Sequence, residues 1–368
     1  MSTALHHAVD QEIQRLLTAG SSRPGPLPLE DHGELWAALS RAVEGGKRFR
    51  PALLVTTHEA LGGRRGAAAV QVGAALELLH TAFVVQDDVI DGDLVRRGMP
   101  SLPGAVAARA RDRGADPHGA QRIGQAAGIL AGDLGLVAAL RAVARCEAPA
   151  PMVDRLLDLF ESTLHGSAAG ELADVRLQLG RADSPAVLRE ALAVAELKTA
   201  LYSFQLPLRA GALLADASPE VLEVLDEIGG LLGIGFQLFD DLLGMFGDER
   251  RTGKSALGDL REGKRTALIA HAATTGAWDE LSGLLGDADL GPAQARRARE
   301  LLSDCGSRTW VEDLARWHVT RAGEVAARSC LPLAMVASLD LATEEILRTA
   351  DLTLPRPTGP SASEGLPV

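Results

Sequence analysis

Apolar side chains return along this chain at the three- and four-residue intervals of a helix face, and Leu156, Leu157, Phe160 and Leu164 set that period inside a helix expected over residues 152–180. The same pattern predicts a short amphipathic piece over 4–17 and helices over 31–43, 51–61, 67–91 and 121–145. Glycine pairs punctuate them: Gly45-Gly46 stops the second and Gly62-Gly63 the third. Ser184-Pro185 and Ser218-Pro219-Glu220 read as N-cap and first turn of two later helices. Residues 99–120, rich in Gly, Pro, Arg and Asp, read as a surface loop with a short helix at most. Residues 266–350 read as amphipathic helices broken at Gly276, Gly286, Gly291-Pro292, Gly306 and Pro332, with Trp310 and Trp317 as packing residues. The Pro-, Gly- and Ser-rich tail from Thr353 reads as disordered.

Composition agrees with an all-helical reading. Of 368 residues, 46% are hydrophobic and only 3% aromatic, which suits a large aliphatic core. Nothing marks a domain seam, so we expect one helical domain over 29–352, preceded by a partly helical segment 1–28 and followed by the tail 353–368. A net charge of −12 argues against nucleic acid as a partner. Cys146, Cys305 and Cys330 have no metal spacing and read as small apolar fillers in a reducing compartment. No secretory leader is evident, and no uninterrupted span of about 20 apolar residues is expected, which points to a cytoplasmic protein.

Charge enters this pattern at particular places. The apolar run 74–85 leads into Asp87, Asp88 and Asp91, followed at once by Arg96 and Arg97. Carboxylates are disfavoured at a helix C-terminus, so a cluster there needs a compensating cation. Asp87 and Asp91, four apart, share a face and make half a cage for magnesium, a hard ion that carboxylates hold together with substrate phosphates and water. A second pair, Asp240-Asp241, closes another apolar helix, followed by Lys254 and by Gly263-Lys264-Arg265-Thr266. Near the N-terminus, Gly45-Gly46-Lys47-Arg48-Phe49-Arg50-Pro51 puts three cations on a loosened turn, a compact anion site. Gly166 and Gly170 inside a predicted helix suggest close approach of something bulky, and Asp174 one turn on reads equally as a metal ligand or as a solvated acid.

The ordered set of motifs, namely the Gly-Gly-Lys-Arg-Phe-Arg-Pro turn, Asp-Asp-Val-Ile-Asp, Arg96-Arg97-Gly98, Gly170-Glu171-Leu-Ala-Asp174, Lys198-Thr199, Phe236-Gln237 with Asp240-Asp241, and Gly263-Lys264-Arg265-Thr266, resembles the polyprenyl synthetase family of trans-prenyltransferases. The resemblance runs from about Ala37 to Arg348. It implies the isoprenoid synthase fold, an antiparallel helical bundle around a central cavity, and a homodimer. It also implies condensation of isopentenyl diphosphate with an allylic diphosphate. By that resemblance Asp87, Asp91 and Asp174 bind two magnesium ions and Asp240 a third, with Asp88 and Asp241 supporting. Arg96, Lys198, Lys254 and Lys264 grip the allylic diphosphate. Lys47, Arg50, His80 and Arg97 hold isopentenyl diphosphate, and Lys198, Thr199 and Gln237 stabilise the carbocation.

Three positions depart from the family pattern. Gly244 stands where a third Asp is usual, with Asp248 further along the same stripe as a possible substitute; Glu171 replaces Gln, and Gln86 replaces His. Ala82 and Phe83, just before Asp87, are the expected chain-length positions. One small and one aromatic residue there favour geranylgeranyl diphosphate, with farnesyl diphosphate as the alternative. A class I terpene cyclase shares the four-residue stepping of Asp240, Gly244 and Asp248 but has no use for the cations at Lys47 and Arg50. A non-catalytic partner subunit would have lost an acidic motif outright.

Overall fold

A computed structural model describes residues 3–22, 30–96, 98–179, 185–247, 256–287 and 289–354. It is 82% helical, and its one sheet among the described residues is a two-residue antiparallel ladder. The chain divides into two compact units, Met1–Glu161 with Pro207–Ser218, and Ser162–Leu206 with Pro219–Val368. All three divisions fall inside or beside helices, with no linker composition for a sequence reading to catch.

The first unit is built on helix α4 (Gly66–Ile90), against which α1 (Thr3–Ser21), α2 (Glu30–Val43), α3 (Phe49–Ala60), α5 (Leu102–Asp112) and α6 (Pro117–Ala144) pack. Its apolar run is buried on nearly all sides, through Val72, Leu76, Leu79 and Val85. Helix α3 starts two residues before Pro51, which is tolerated because the first turn has no use for its N–H. The region 99–120, expected as a surface loop with a short helix at most, holds β2 (Met99–Pro100), paired with β1 (Val95–Arg96) just before it, and the eleven-residue α5. Ser101 explains that difference: its Oγ accepts from Gly104 N–H at 3.1 Å and caps α5, a signal that the Arg-rich composition obscured.

Glycines set the approach of α6 to α4. A Cβ at Gly132 would fall 2.7 Å from Gln86 Cγ, and one at Gly135 would fall 3.0 Å from Ala82 Cβ. The opposite face of α6 is apolar and exposed at Ile123, Ile129, Leu130 and Val137. By length and composition both α4 and α6 could cross a membrane, contrary to the expectation from the sequence. Of the apolar window, 72% is buried in α4 and 39% in α6, so α4 is a core helix and α6 is half covered.

In the second unit, the part of α7 (Ala150–Leu179) beyond Glu161 lies against a helix that changes type along its length. Helix α8 (Pro185–Ala195) passes into a π-helical segment, Glu196–Gln205, and then into α9 (Leu206–Leu214), whose bulk belongs to the first unit. The N–H of Leu206 donates to Leu201 O, five residues back. Gly166 and Gly170 are small because this segment lies on them: Cβ atoms there would meet Leu201 Cδ1 at 2.4 Å and Leu197 Cβ at 2.7 Å. The expected bulky neighbour is therefore a helix. Helix α10 (Pro219–Phe246) packs on the π segment and on α15 (Ser307–Arg328). The short α11 (Ala256–Glu262), α12 (Ala267–Ala272), α13 (Trp278–Leu281) and α14 (Pro292–Asp304), with the last helix α16 (Leu333–Thr353), complete the unit. Trp310 stacks on His271, 4.3 Å between centroids, as a packing residue should. Trp317 is exposed instead, and of the cysteines only Cys146 is a buried filler, since Cys330 is exposed.

Candidate active site

In the first unit Asp87 and Asp88 lie on the last turn of α4, and Asp91 is its C-cap, its N–H bonded to Asp87 O at 2.8 Å. The hairpin then turns the chain back on itself. Arg96 donates from Nη2 to Asp87 Oδ2 at 2.8 Å and from Nε to Asp88 Oδ1 at 2.5 Å, with Asp93 at 3.8 Å. This guanidinium is the compensating cation that the acidic helix end demands. Asp88 is only 3% exposed. Burial pushes its carboxyl up to about 6, with Arg96 opposing the rise. The Arg96 guanidinium is held above its ordinary value, Asp88 and Asp87 outweighing the effect of burial.

Of the three cations in the N-terminal turn, the structure brings two outward and takes one away. Lys47 is exposed and Arg50 half-buried, whereas Arg48 is buried and ion-paired to Glu77 of α4 at 2.9 Å. The turn expected to bind an anion thus leaves two cations for that role, not three. Glu77 anchors the turn one helical turn before the half-buried His80 on the same helix. Arg97 lies outside the described residues, as do Lys254 and Asp248.

In the second unit Lys198, on the π segment, donates to Asp174 Oδ2 at 2.8 Å and pairs with Glu171 Oε2 at 3.0 Å. The Gln-to-Glu departure at 171 therefore adds a carboxylate to this lysine. Thr199 Oγ1 donates to Gln237 Oε1 at 2.6 Å, and Gln237 Nε2 donates to Asp241 Oδ1 at 2.7 Å. Asp241 orients the amide, which in turn fixes Thr199; Asp240, its neighbour on α10, is half-buried. Lys264 pairs with Glu262 at 2.9 Å and approaches Asp259 at 3.9 Å. The place a Cβ would take at Gly244 lies 2.6 Å from Asp259 Oδ2. A carboxylate from α11 therefore stands beside the position where the third Asp of α10 is missing. No sequence signal singled out Asp259, because it lies on another helix.

Among the described residues no group of three or more His, Cys, Asp or Glu side chains is arranged to hold a metal by itself. The donor set nonetheless fits magnesium. It consists of carboxylate oxygens alone, and that ion is held by one or two carboxylates with phosphate and water making up the rest. Each acidic cluster carries an Arg or Lys, and either cation can transfer to a phosphate and free its carboxylates.

Helix upon helix, with acidic clusters balanced by paired cations, defines an all-α protein of the isoprenoid synthase fold. Residues 33–302 match the model of the polyprenyl synthetase family, and the chain belongs to that family. It is 33% identical over 290 residues to a geranylgeranyl diphosphate synthase of Methanosarcina mazei, covering 78% of this chain and 82% of that one. It is 32% identical over 306 residues to a (2E,6E)-farnesyl diphosphate synthase of Mycobacterium tuberculosis, covering 81% and 78%. Among solved structures, a geranylgeranyl pyrophosphate synthase of Corynebacterium glutamicum, complexed with isoprenyl diphosphate and magnesium, superposes with a TM-score of 0.84 at 28% identity over 93% of this chain and 98% of that one.

Proposed function

We propose that this chain, with residues 29–352 as its catalytic domain, condenses isopentenyl diphosphate with allylic diphosphates and releases geranylgeranyl diphosphate. The observation that carries the reading is the Thr199–Gln237–Asp241 chain beside a Lys198 paired to Asp174, with an independent Arg96–Asp87–Asp88 cluster on α4. Arg96, Lys198, Lys254 and Lys264 take the allylic diphosphate, and Lys47, Arg50, His80 and Arg97 take isopentenyl diphosphate. The allylic C–O bond breaks with its electron pair leaving on diphosphate, whose charge the cations stabilise. The double bond of isopentenyl diphosphate then attacks the carbocation, a new C–C bond forms, and the proton lost goes to diphosphate. The Thr199 and Gln237 oxygens, fixed by the π segment and by Asp241, face the developing positive charge; π-helical insertions are frequent at functional positions. Magnesium, held by Asp87, Asp91, Asp174 and Asp240 as up to three ions, with Asp88 and Asp241 behind them, would neutralise the diphosphate.

We further infer a cytoplasmic homodimer. The apolar stripe of α6 supports it, because Ile123, Leu130 and Val137 repeat at seven-residue steps and are about half exposed. Asp133 and Arg141, equidistant from Val137, would meet each other across a two-fold axis through an antiparallel pair of these helices. Charges within the stripe argue against lipid as its cover. Leu130→Glu with Val137→Glu is expected to yield a monomer in sedimentation velocity, and an unchanged sedimentation coefficient would reject this face.

The function is tested with purified protein, magnesium, labelled isopentenyl diphosphate and dimethylallyl, geranyl or farnesyl diphosphate as primer, with the dephosphorylated alcohols sized by chromatography. A twenty-carbon alcohol is expected. A fifteen-carbon alcohol would make the chain a farnesyl diphosphate synthase, which the Mycobacterium relative favours. No elongation from any primer would reject the reading.

A further inference from the structure

Arg48 is the one cation of the N-terminal turn that points inward, and three elements hold it. Its Nε donates to Asp10 Oδ1 of α1 at 2.7 Å, and its Nη1 donates both to Val43 O at the end of α2 and to Glu77 Oε1 of α4, each at 2.9 Å. The side chain is 8% exposed and that of Glu77 is 6%. Its backbone sits in the left-handed region, φ 51° and ψ 36°, which L side chains avoid unless surrounding contacts impose it. Gly46 is part of the same device. A Cβ there would fall 2.7 Å from Arg48 Nη1 and 2.8 Å from Glu77 Oε1, so the glycine leaves room for the ion pair, while Gly45 supplies the positive φ of 77°.

We propose that Arg48, with Asp10 and Glu77, is a positioning clamp for the isopentenyl diphosphate cations. The clamp imposes the inward, left-handed turn at 48 that sends Lys47 outward and starts α3 with Arg50 in its first turn. The proposal rests on the reading of Lys47 and Arg50 as isopentenyl diphosphate ligands. Lysine cannot replace Arg48, since a single ammonium lacks the planar fork that reaches a carboxylate on α1 and another on α4 together. Helix α1 thereby acquires a role in substrate recognition although it carries no ligand.

The test is steady-state kinetics with each substrate varied in turn. Replacing Arg48 alone would leave Glu77 buried and uncompensated, so the variant is Arg48→Gln with Glu77→Gln, a neutral pair that leaves no buried charge unpaired. It is expected to raise KM for isopentenyl diphosphate about 10- to 100-fold while KM for the allylic primer and kcat change less than about 3-fold, as displacement of a binding group by a distant change does. Asp10→Ala, which removes one arm and leaves Arg48 paired to Glu77, is expected to raise the same KM about 3- to 10-fold and covers the case in which the double variant does not fold. Unchanged KM for isopentenyl diphosphate in the folded variants, or an equal rise for both substrates, would overturn the clamp. Lys47→Ala serves as the reference: if it leaves KM for isopentenyl diphosphate unchanged, the ligand reading itself fails and the clamp falls with it.

Discussion

On the proposed function, Arg96 would hold two positions in turn. In the structure it neutralises Asp87 and Asp88; as a diphosphate ligand it must leave them. An Arg96→Gln variant separates the two. Without the guanidinium, the only groups left to act on Asp88 are burial and the neighbouring Asp87 and Asp93, all of which raise its pKa above about 6. The acidic cluster then lacks the guanidinium that pairs with it. We expect Arg96→Gln to bind Mn²⁺ about 3- to 10-fold more tightly without substrate, the direction set by removing a competing positive charge. The same variant should raise KM for the allylic diphosphate about 10- to 100-fold, the cost of a charged hydrogen bond. Mn²⁺ titration by electron paramagnetic resonance reads the first effect, and weaker metal binding would contradict the picture of Arg96 as the cluster's own counterion.

Helix types and most boundaries follow from periodicity and glycine punctuation because long amphipathic segments declare themselves locally. What local pattern could not carry is the reason for a residue's size. Ala82 and Phe83 look like a pair in the sequence, both beside the tunnel expected by resemblance. In the structure Ala82 is wholly buried and faces Gly135 of α6, while Phe83 is half-buried. The small residue at 82 is therefore required by the contact of two helices whatever the product. Acidic and basic clusters were legible because charge at the end of an apolar helix is costly and so conspicuous. Arg48 was misjudged as part of the anion site because nothing within its own turn reveals that Asp10 and Glu77 lie behind it. The π segment was equally invisible, since its residues have an ordinary helical pattern. If Phe83 is the tunnel floor that the resemblance implies, Phe83→Ala should lengthen the product beyond twenty carbons in the chromatographic assay. Ala82→Phe should instead destabilise the fold by about 1–3 kcal/mol through overpacking, visible as a lower melting temperature. An Ala82→Phe protein of unchanged melting temperature would mean that the α4–α6 contact is looser than its glycines indicate.

For the whole molecule, pH acts through opposed groups. Lowering pH reduces a net charge of −12 and so relieves self-repulsion. Asp88 works in the same direction: its folded pKa, about 6, lies above its ordinary value, so the folded state takes up the proton first and gains stability as pH falls through 6. His318 works the other way. Burial lowers it to about 4, on α15 where Gly235 of α10 lies against its Cβ and Trp317 against its ring. Between pH 6.5 and 4 the unfolded chain binds a proton there that the folded chain refuses, so the stability His318 contributes is complete above 6.5 and lost as pH falls. His271, also lowered by burial, adds to the same loss. His318→Gln should therefore raise stability at pH 5 relative to pH 7.5 by about 1–2 kcal/mol after allowance for partial exposure, seen as a smaller drop in melting temperature on acidification. Asp88→Asn should do the reverse: it removes the penalty for an ionised buried carboxylate at pH 7.5 and with it the gain on acidification. Thermal unfolding in the presence of a chelator, at the two pH values, reads both. If His318→Gln leaves the difference between the two melting temperatures unchanged, the imidazole is reached by water in the folded state and its burial is not what sets the acid limb.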